Sequence, residues 1–487
     1  MRRLFARYFL PIRNKGGVSR KKEQIHSITE QKTIVLFFSI CYNLRETKKR
    51  NLTCDRLLVG EAWYMSDKKF SVAIIGLGAR GAESYGRLMY SMKDKFEIRA
   101  LCDINAEKLK KYGKLFGTDE LFLNEEEFFK EKRADALVIA TLDRDHVRQC
   151  ERALELKYDV LLEKPITDDI DECERLLKAH KKYGGKVVVC HVLRYAPAYI
   201  KLKEVLDSGV CGDLVMIDSI EQVSYWHQAH SFVRGNWRNR EQTSPMILQK
   251  CCHDLDLLQY YAGSKCKSLS SIGDLKHFKK CNQPEGAAER CLNCKYVDEC
   301  CYSARGIYIG NWKAIGSPDN CWPYNMLTTE YPLTEENITE AIKTGPYGRC
   351  VYCCDNDVVD HQIVAMTFEN GIKANLRMTA FTQGGGRIMK FYCTKGEFEL
   401  DEGTNVITVR VFAKPDEVYD VNSLIDKSDN HGGGDAGLIN AFYQTLCGTG
   451  SPTSLESSVE SHLMALKAEK SRLLNGELLK VHGENDN

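Results

Sequence analysis

The segment Phe70 to Gly81, FSVAIIGLGARG, constrains the fold more than any other stretch of the chain. Phe70 to Ile75 is a short apolar run with β-branched residues, the pattern of a buried strand. It leads directly into Gly76, Gly78 and Gly81, spaced G-x-G-x-x-G, and Ala82 to Met92 reads as a helix. The first glycine permits the tight turn, the second lets a pyrophosphate approach the main chain, and the third lets helix and strand pack closely. The helix N-terminus adds free N–H groups and a partial positive charge. Phe96 to Cys102 reads as a second strand ending at Asp103, placed to accept the hydroxyls of an adenosine ribose. This strand–loop–helix unit predicts a dinucleotide cofactor. Asp103 favours NAD over NADP, because a carboxylate repels a 2′-phosphate.

Strands and helices then alternate. Ala106 to Phe116, Val147 to Leu156 and Asp168 to Tyr183 read as helices; Ala136 to Thr141, Asp159 to Leu162 and Lys186 to His191 read as strands. That rhythm predicts an α/β fold opening with a doubly wound parallel sheet, a Rossmann domain over 65–195. Beyond Ala196 the strands Leu214 to Ser219, Val358 to Glu369, Ile372 to Thr382, Ile388 to Thr394 and Glu397 to Leu400 alternate in polarity, with turns at Gly371 and Lys395-Gly396. They predict an α+β domain over 196–487 with a large, mostly antiparallel open sheet, closed by a helix from Ser454 to Leu474.

Residues 1–64 match neither domain. Met1 to Lys32 is basic and aperiodic, and Thr33 to Tyr42 is only ten apolar residues long, about half a membrane span. We expect translation to start at Met65, with 1–64 a non-native or disordered extension. Among 487 residues, 43% are hydrophobic and 28% charged, with a net charge of +1. This composition gives no field for nucleic acid or for an anionic membrane, and neither is expected as a partner.

Cysteine is concentrated: 12 of 21 lie between Cys251 and Cys354. A long α/β chain of this kind suits a reducing cytoplasm, where clustered thiols bind metal more often than they form disulfides. An insertion at about 279–347 holds Cys291-x-x-Cys294-x5-Cys300, with Cys350 shortly after. Two thiolates two residues apart can share a tetrahedral zinc, and Cys300 and Cys350 complete the expected ligand set. An iron–sulfur cluster on the same thiolates is the second expectation.

The glycine motif, Glu163-Lys164-Pro165 and Cys252-His253-Asp254-Leu255-Asp256 together make the chain resemble the glucose–fructose oxidoreductase, inositol dehydrogenase and rhizopine-catabolism (Gfo/Idh/MocA) family, over essentially all of 65–480. The resemblance implies an NAD(P)-dependent oxidoreductase acting on a sugar, cyclitol or glycoside, and assembly as a dimer or tetramer through the open sheet. It implies cofactor contacts from Gly76, Gly78, Ala79, Arg80, Gly81, Asp103, Thr141, His146, Glu163, Lys164 and Pro165. Taking hydride from a carbinol requires a group to accept the hydroxyl proton. Lys164, at a strand end, and His253 are the expected catalytic pair. The family usually carries Asp four residues before this histidine. Here Gln249 stands there, followed by Lys250, a third catalytic candidate. The segment Tyr225 to Arg240 is dense in His, Arg and Trp, the mix a polyol site uses. Its His227, His230, Arg234, Trp237 and Arg238, with Arg194 and Asp256, are the expected substrate contacts. Two rival readings are a glycoside-cleaving enzyme that recycles a tightly bound NAD, and a dinucleotide-sensing regulatory protein.

Overall fold

The computed structural model describes residues 68–319, 321–328, 330–425, 430–450 and 453–483. The expectation for residues 1–64 falls outside them. The six-stranded sheet holds β1 (Phe70–Ile75), β2 (Phe96–Cys102), β3 (Glu120–Phe122), β4 (Ala136–Ile139), β5 (Asp159–Leu162) and β6 (Val187–Val189). All its pairings are parallel, in the order β3-β2-β1-β4-β5-β6. Strand alternation divides β1 between two cores. Phe70, Val72 and Ile74 enter one, Ala73 and Ile75 the other, so this strand is apolar on both faces.

The second sheet has nine strands: β7 (Leu214–Ser224), β8 (Cys266–Asp274), β9 (His361–Phe368), β10 (Lys373–Thr382), β11 (Gly386–Cys393), β12 (Gly396–Asp401), β13 (Val406–Val411), β14 (Glu417–Asp420) and β15 (Leu479–Lys480). Their order is β14-β13-β12-β11-β7-β10-β9-β8-β15, and all pairs are antiparallel except β7 with β10. The β9–β10 turn uses Gly371 at φ 91°, a left-handed position that suits glycine. One face of this sheet packs on helix Cys252–Ala262, and Tyr261 meets Phe391 at 5.0 Å between ring centroids. Helix Leu455–Leu473 then ties the layers together. Its Ser471 hydroxyl accepts from the Ser271 amide at 2.8 Å, and its His462 Nε2 accepts from the Ile166 amide at 2.7 Å. The second bond fixes the loop that follows β5. No described helix is long and apolar enough to cross a membrane.

Candidate active site

The glycine loop joins β1 to the helical stretch Ala79–Gly86 and Arg87–Ser91. A Cβ added at Gly81 would stand 2.0 Å from the Gly76 carbonyl oxygen, and one at Gly76 2.4 Å from that of Ala140. A Cβ at Gly78 would meet nothing within 4 Å, because this glycine faces open space. A cavity of about 480 Å³ runs beside the loop, walled by Gly76, Gly78, Asp103, Ile104, Thr141 and Leu142. Ile104 is 90% exposed and Leu142 66% exposed, leaving two apolar side chains to flank a flat ring. Asp103 accepts from the Leu77 amide at 2.7 Å and from the Asn105 amide at 2.8 Å, which holds its carboxylate at the rim of the crevice. The cradle fits a dinucleotide: open at the second glycine, closed at the first and third, with a carboxylate at the end of β2.

Two charged residues expected at the cofactor are turned inward instead. Arg80 donates through Nε to Glu163 at 2.8 Å and through both terminal nitrogens to Asp435, at 2.9 and 2.8 Å. Glu163 also accepts from the Tyr85 hydroxyl at 2.6 Å and from the Lys164 amide at 2.8 Å. Burial alone would raise the Glu163 carboxyl, but Arg80 and Lys164 override it and hold it below the usual range. Arg80, its side chain 28% exposed, and the buried Glu163 thus form a brace beside the cofactor loop. His146 also finds its partners inside the protein. It is buried, with its ring nitrogens 2.7 Å from the Pro165 carbonyl oxygen and 3.3 Å from that of Thr141, so it pins two loops together. Thr141 donates to Gln149 at 2.7 Å yet still lines the crevice.

The brace aims Lys164. Its ammonium donates to the Gln249 carbonyl at 3.2 Å. His253 lies on the facing helix, buried, with Nδ1 unpartnered and its ring 5.9 Å from that of His191 and 6.4 Å from that of His431. Burial, with Lys164 and Arg387 adding positive charge, drives the imidazole well below its ordinary value, so it is neutral. Asp143, in the short helical turn Asp143–Asp145, is a buried carboxylate of this centre. It accepts from the Ser244 hydroxyl at 3.2 Å, and burial raises its carboxyl against the pull of His146 and Lys164. Ser244 is also hydrogen-bonded to the Gln249 side chain at 3.1 Å.

Lys250 sits 3.2 Å from Glu221, an inward-facing residue of β7. The cross-strand partner of Glu221 is Arg387, which pairs with it at 2.7 Å and with Asp254 at 2.8 Å. The five-residue Gln249–His253 segment is thus backed by a buried ionic network. Burial pushes Asp254 up to about 6.

The expected substrate contacts largely find partners inside the protein. Arg194 grips Asp256 with two bonds of 2.6 Å. Arg238 pairs with Asp355 at 2.7 and 3.0 Å. His230 is buried, stacked 4.7 Å from Tyr347 and hydrogen-bonded to Tyr308 at 3.0 Å. Arg234 is fully buried and donates to the carbonyls of Arg349 and Tyr302. Trp237 packs 6.2 Å from Phe232. His227 faces the insertion. Burial comes first among the causes that lower its imidazole, followed by Lys250, His230 and Lys164, and its ring lies 5.0 Å from Trp322 of the insertion. Among the described residues, no group of three or more His, Cys, Asp or Glu is gathered to hold a metal ion. The zinc expected on Cys291, Cys294, Cys300 and Cys350 is therefore corrected: those sulfurs do not converge on one point.

Residues 70–191 match the family model described as an oxidoreductase family with an NAD-binding Rossmann fold, and residues 203–456 match that family's C-terminal alpha/beta domain. A Bacillus subtilis protein named as an oxidoreductase, YteT, is 21% identical over 77% of this chain and 88% of its own length. Inositol 2-dehydrogenase/D-chiro-inositol 3-dehydrogenase of Shouchella clausii is 26% identical over 39% of this chain, and the match spans about half (52%) of that enzyme. The structure of scyllo-inositol dehydrogenase from Lactobacillus casei, with bound NAD(H) and scyllo-inositol, superposes with a TM-score of 0.57 at 17% identity, over 85% of this chain and 99% of that one. With both domain models matched in order, the chain belongs to the Gfo/Idh/MocA family of oxidoreductases and carries its NAD-binding Rossmann domain.

Proposed function

We propose that the protein oxidises a hydroxyl-bearing carbon of a sugar, cyclitol or glycoside, with Lys164 and His253 managing the hydroxyl proton. The observation that carries this reading is a lysine donor and a neutral, buried imidazole brought together beyond the strand ends of the dinucleotide domain. Gly76, Gly78, Asp103 and Thr141, which line the crevice, hold the cofactor together with Ala79, Gly81 and Pro165. NAD, when bound there, takes up the hydride. Lys164 donates to the substrate oxygen and stabilises the alkoxide as it forms. His253 takes the hydroxyl proton, which a neutral ring can do and an imidazolium cannot. Asp143 and the Gln249 carbonyl orient the lysine. Lys250 acts through Glu221 as a positioning residue rather than at the reacting carbon. The inositol dehydrogenases among the relatives support a cyclic polyol as the substrate class.

The described cysteines are all free thiols, which supports a cytoplasmic setting. The open sheet exposes Val215, Ile272, Ile363 and Val418, which supports a homo-oligomer through that face. Light scattering distinguishes dimer from tetramer. The functional test is Lys164→Met: NAD should bind as in the parent while turnover of any polyol substrate falls at least a hundredfold. Undiminished turnover would remove Lys164 from the chemistry.

A further inference from the structure

Oxidising a carbinol with NAD yields a carbonyl, NADH and one proton per turnover. With His253 as acceptor, each cycle leaves that proton on a residue only 7% exposed. The ring has to shed it before it can act again. Two imidazoles lie beside it. His191, 5.9 Å away between ring centroids, is 1% exposed, and the buried His462 stands behind it at 6.1 Å, so this side leads further into the core. His431, 6.4 Å from His253, has a side chain 40% exposed.

His431 is held in place by its main chain and by a carboxylate. The turn Asn430–Gly433 sets it at φ 52° and ψ 37°, a left-handed conformation that residues with a Cβ rarely adopt and that gathers at active sites. Helix Gly434–Cys447 follows, and the buried Asp435 in its first turn stands 3.2 Å from His431 Nδ1. The same carboxylate oxygen accepts from Arg80 at 2.8 Å, and Arg80 donates in turn to Glu163, which accepts from the Lys164 amide. One chain of ionic contacts thus sets both Lys164 and His431. Burial alone would raise the Asp435 carboxyl, but hydrogen bonds from His431 and Arg80 hold it well below the usual range, so an anion faces the ring.

We propose that His431 is the proton outlet of this site, taking the proton from His253 and passing it to solvent; this rests on the reading of His253 as the acceptor. The hydride goes to NAD, the hydroxyl proton goes to His253 and then through His431 to water, and both rings return to the neutral form. Imidazole suits the task because it takes and gives a proton near neutral pH. The 6.4 Å between ring centroids is short enough for one water to bridge. Asp435 fixes the ring and stabilises its charged form in transit, and the exposed edge reaches solvent. His431 touches neither substrate nor cofactor in this role. It resets His253 between turnovers.

The test uses the full chain, NAD and a polyol that the parent oxidises, in weakly buffered solution. His431→Asn tolerates the left-handed main chain but has no base, and His431→Ala leaves room for a small base from solution. Each should lower steady-state kcat about tenfold or more. The first turnover, followed by stopped flow at the nicotinamide absorbance, should keep the parent rate, because His253 starts without the proton. Added imidazole should restore most of the turnover of His431→Ala. Steady-state rates near the parent's in both variants would overturn the proposal. A first turnover slowed as much as the later ones, a loss that imidazole does not restore, or loss of NAD binding in both variants would make His431 structural and overturn it as well. A parent that oxidises no polyol overturns the reading of His253 and the outlet with it, and that outcome is seen without any variant.

Discussion

Lowering the pH from 7 to 5.5 should weaken the fold through histidines that burial keeps neutral. His191 is driven down to about 4, and His230 and His462 to about 3, with burial the largest cause in each. In the unfolded chain these rings take a proton near pH 6.5; in the native state they do not. The unfolded state therefore binds more protons across this window, and stability falls as pH falls. Each ring costs about 1.2 kcal/mol between the two pH values, or about 4 kcal/mol for these three, and His227 and His253, which burial also holds well below their ordinary value, add to the loss. Asp254 opposes them. Its carboxyl, raised to about 6, gains a proton in the native state first and returns about 0.8 kcal/mol. Glu163 and Asp435 are held low, and their contribution is lost only below the ordinary carboxylate range, outside the window. The net loss is therefore at least about 3 kcal/mol. Urea unfolding followed by tryptophan fluorescence, at matched ionic strength, measures it. Equal stability at the two pH values, or a gain at the lower, would refute the assignment of these rings as buried and neutral.

Three substitutions probe the site separately. Gly81→Ala places a methyl against the Gly76 carbonyl oxygen at 2.0 Å, main chain that cannot move aside; calorimetry should find NAD affinity reduced at least tenfold. Arg194→Met strands the buried Asp256 carboxylate and should cost about 3–5 kcal/mol of stability by denaturant titration. His253→Gln retains a polar side chain but no base, and should lower kcat by about 10²-fold or more with NAD affinity unchanged; turnover close to that of the parent would exclude the ring as proton acceptor.

The fold was most legible where the signal was local. Glycine spacing, the two-sided apolar strand at Phe70 and the turns at Gly371 and Lys395-Gly396 each specify their geometry within a few residues. β8 and β14 escaped notice because their sequences, CKSLSSIGD and EVYD, are half polar, and their pairing comes from neighbours distant in the chain. The Lys164 and His253 positions were readable from motifs, but Asp143 was not. Its role depends on Ser244, 101 residues away, and no spacing announces that contact. The polar segment Tyr225 to Arg240 misled for a related reason. A dense run of His and Arg looks the same whether it faces a ligand or a buried partner. Here Arg234 turns to main-chain carbonyls and Arg238 to Asp355. Likewise Arg194 and Asp256, 62 residues apart, each looked free until the fold joined them.

Hydride transfer itself can be read directly. The full-length protein is incubated with NAD and a panel of inositols, hexoses and glycosides deuterated at their carbinol carbons. The dinucleotide is then released by denaturation and weighed by mass spectrometry. The account predicts deuterium on the nicotinamide with at least one cyclic polyol, whether or not the cofactor leaves the protein, and its loss in Lys164→Met. Bound NAD that never acquires deuterium from any member of the panel would contradict it.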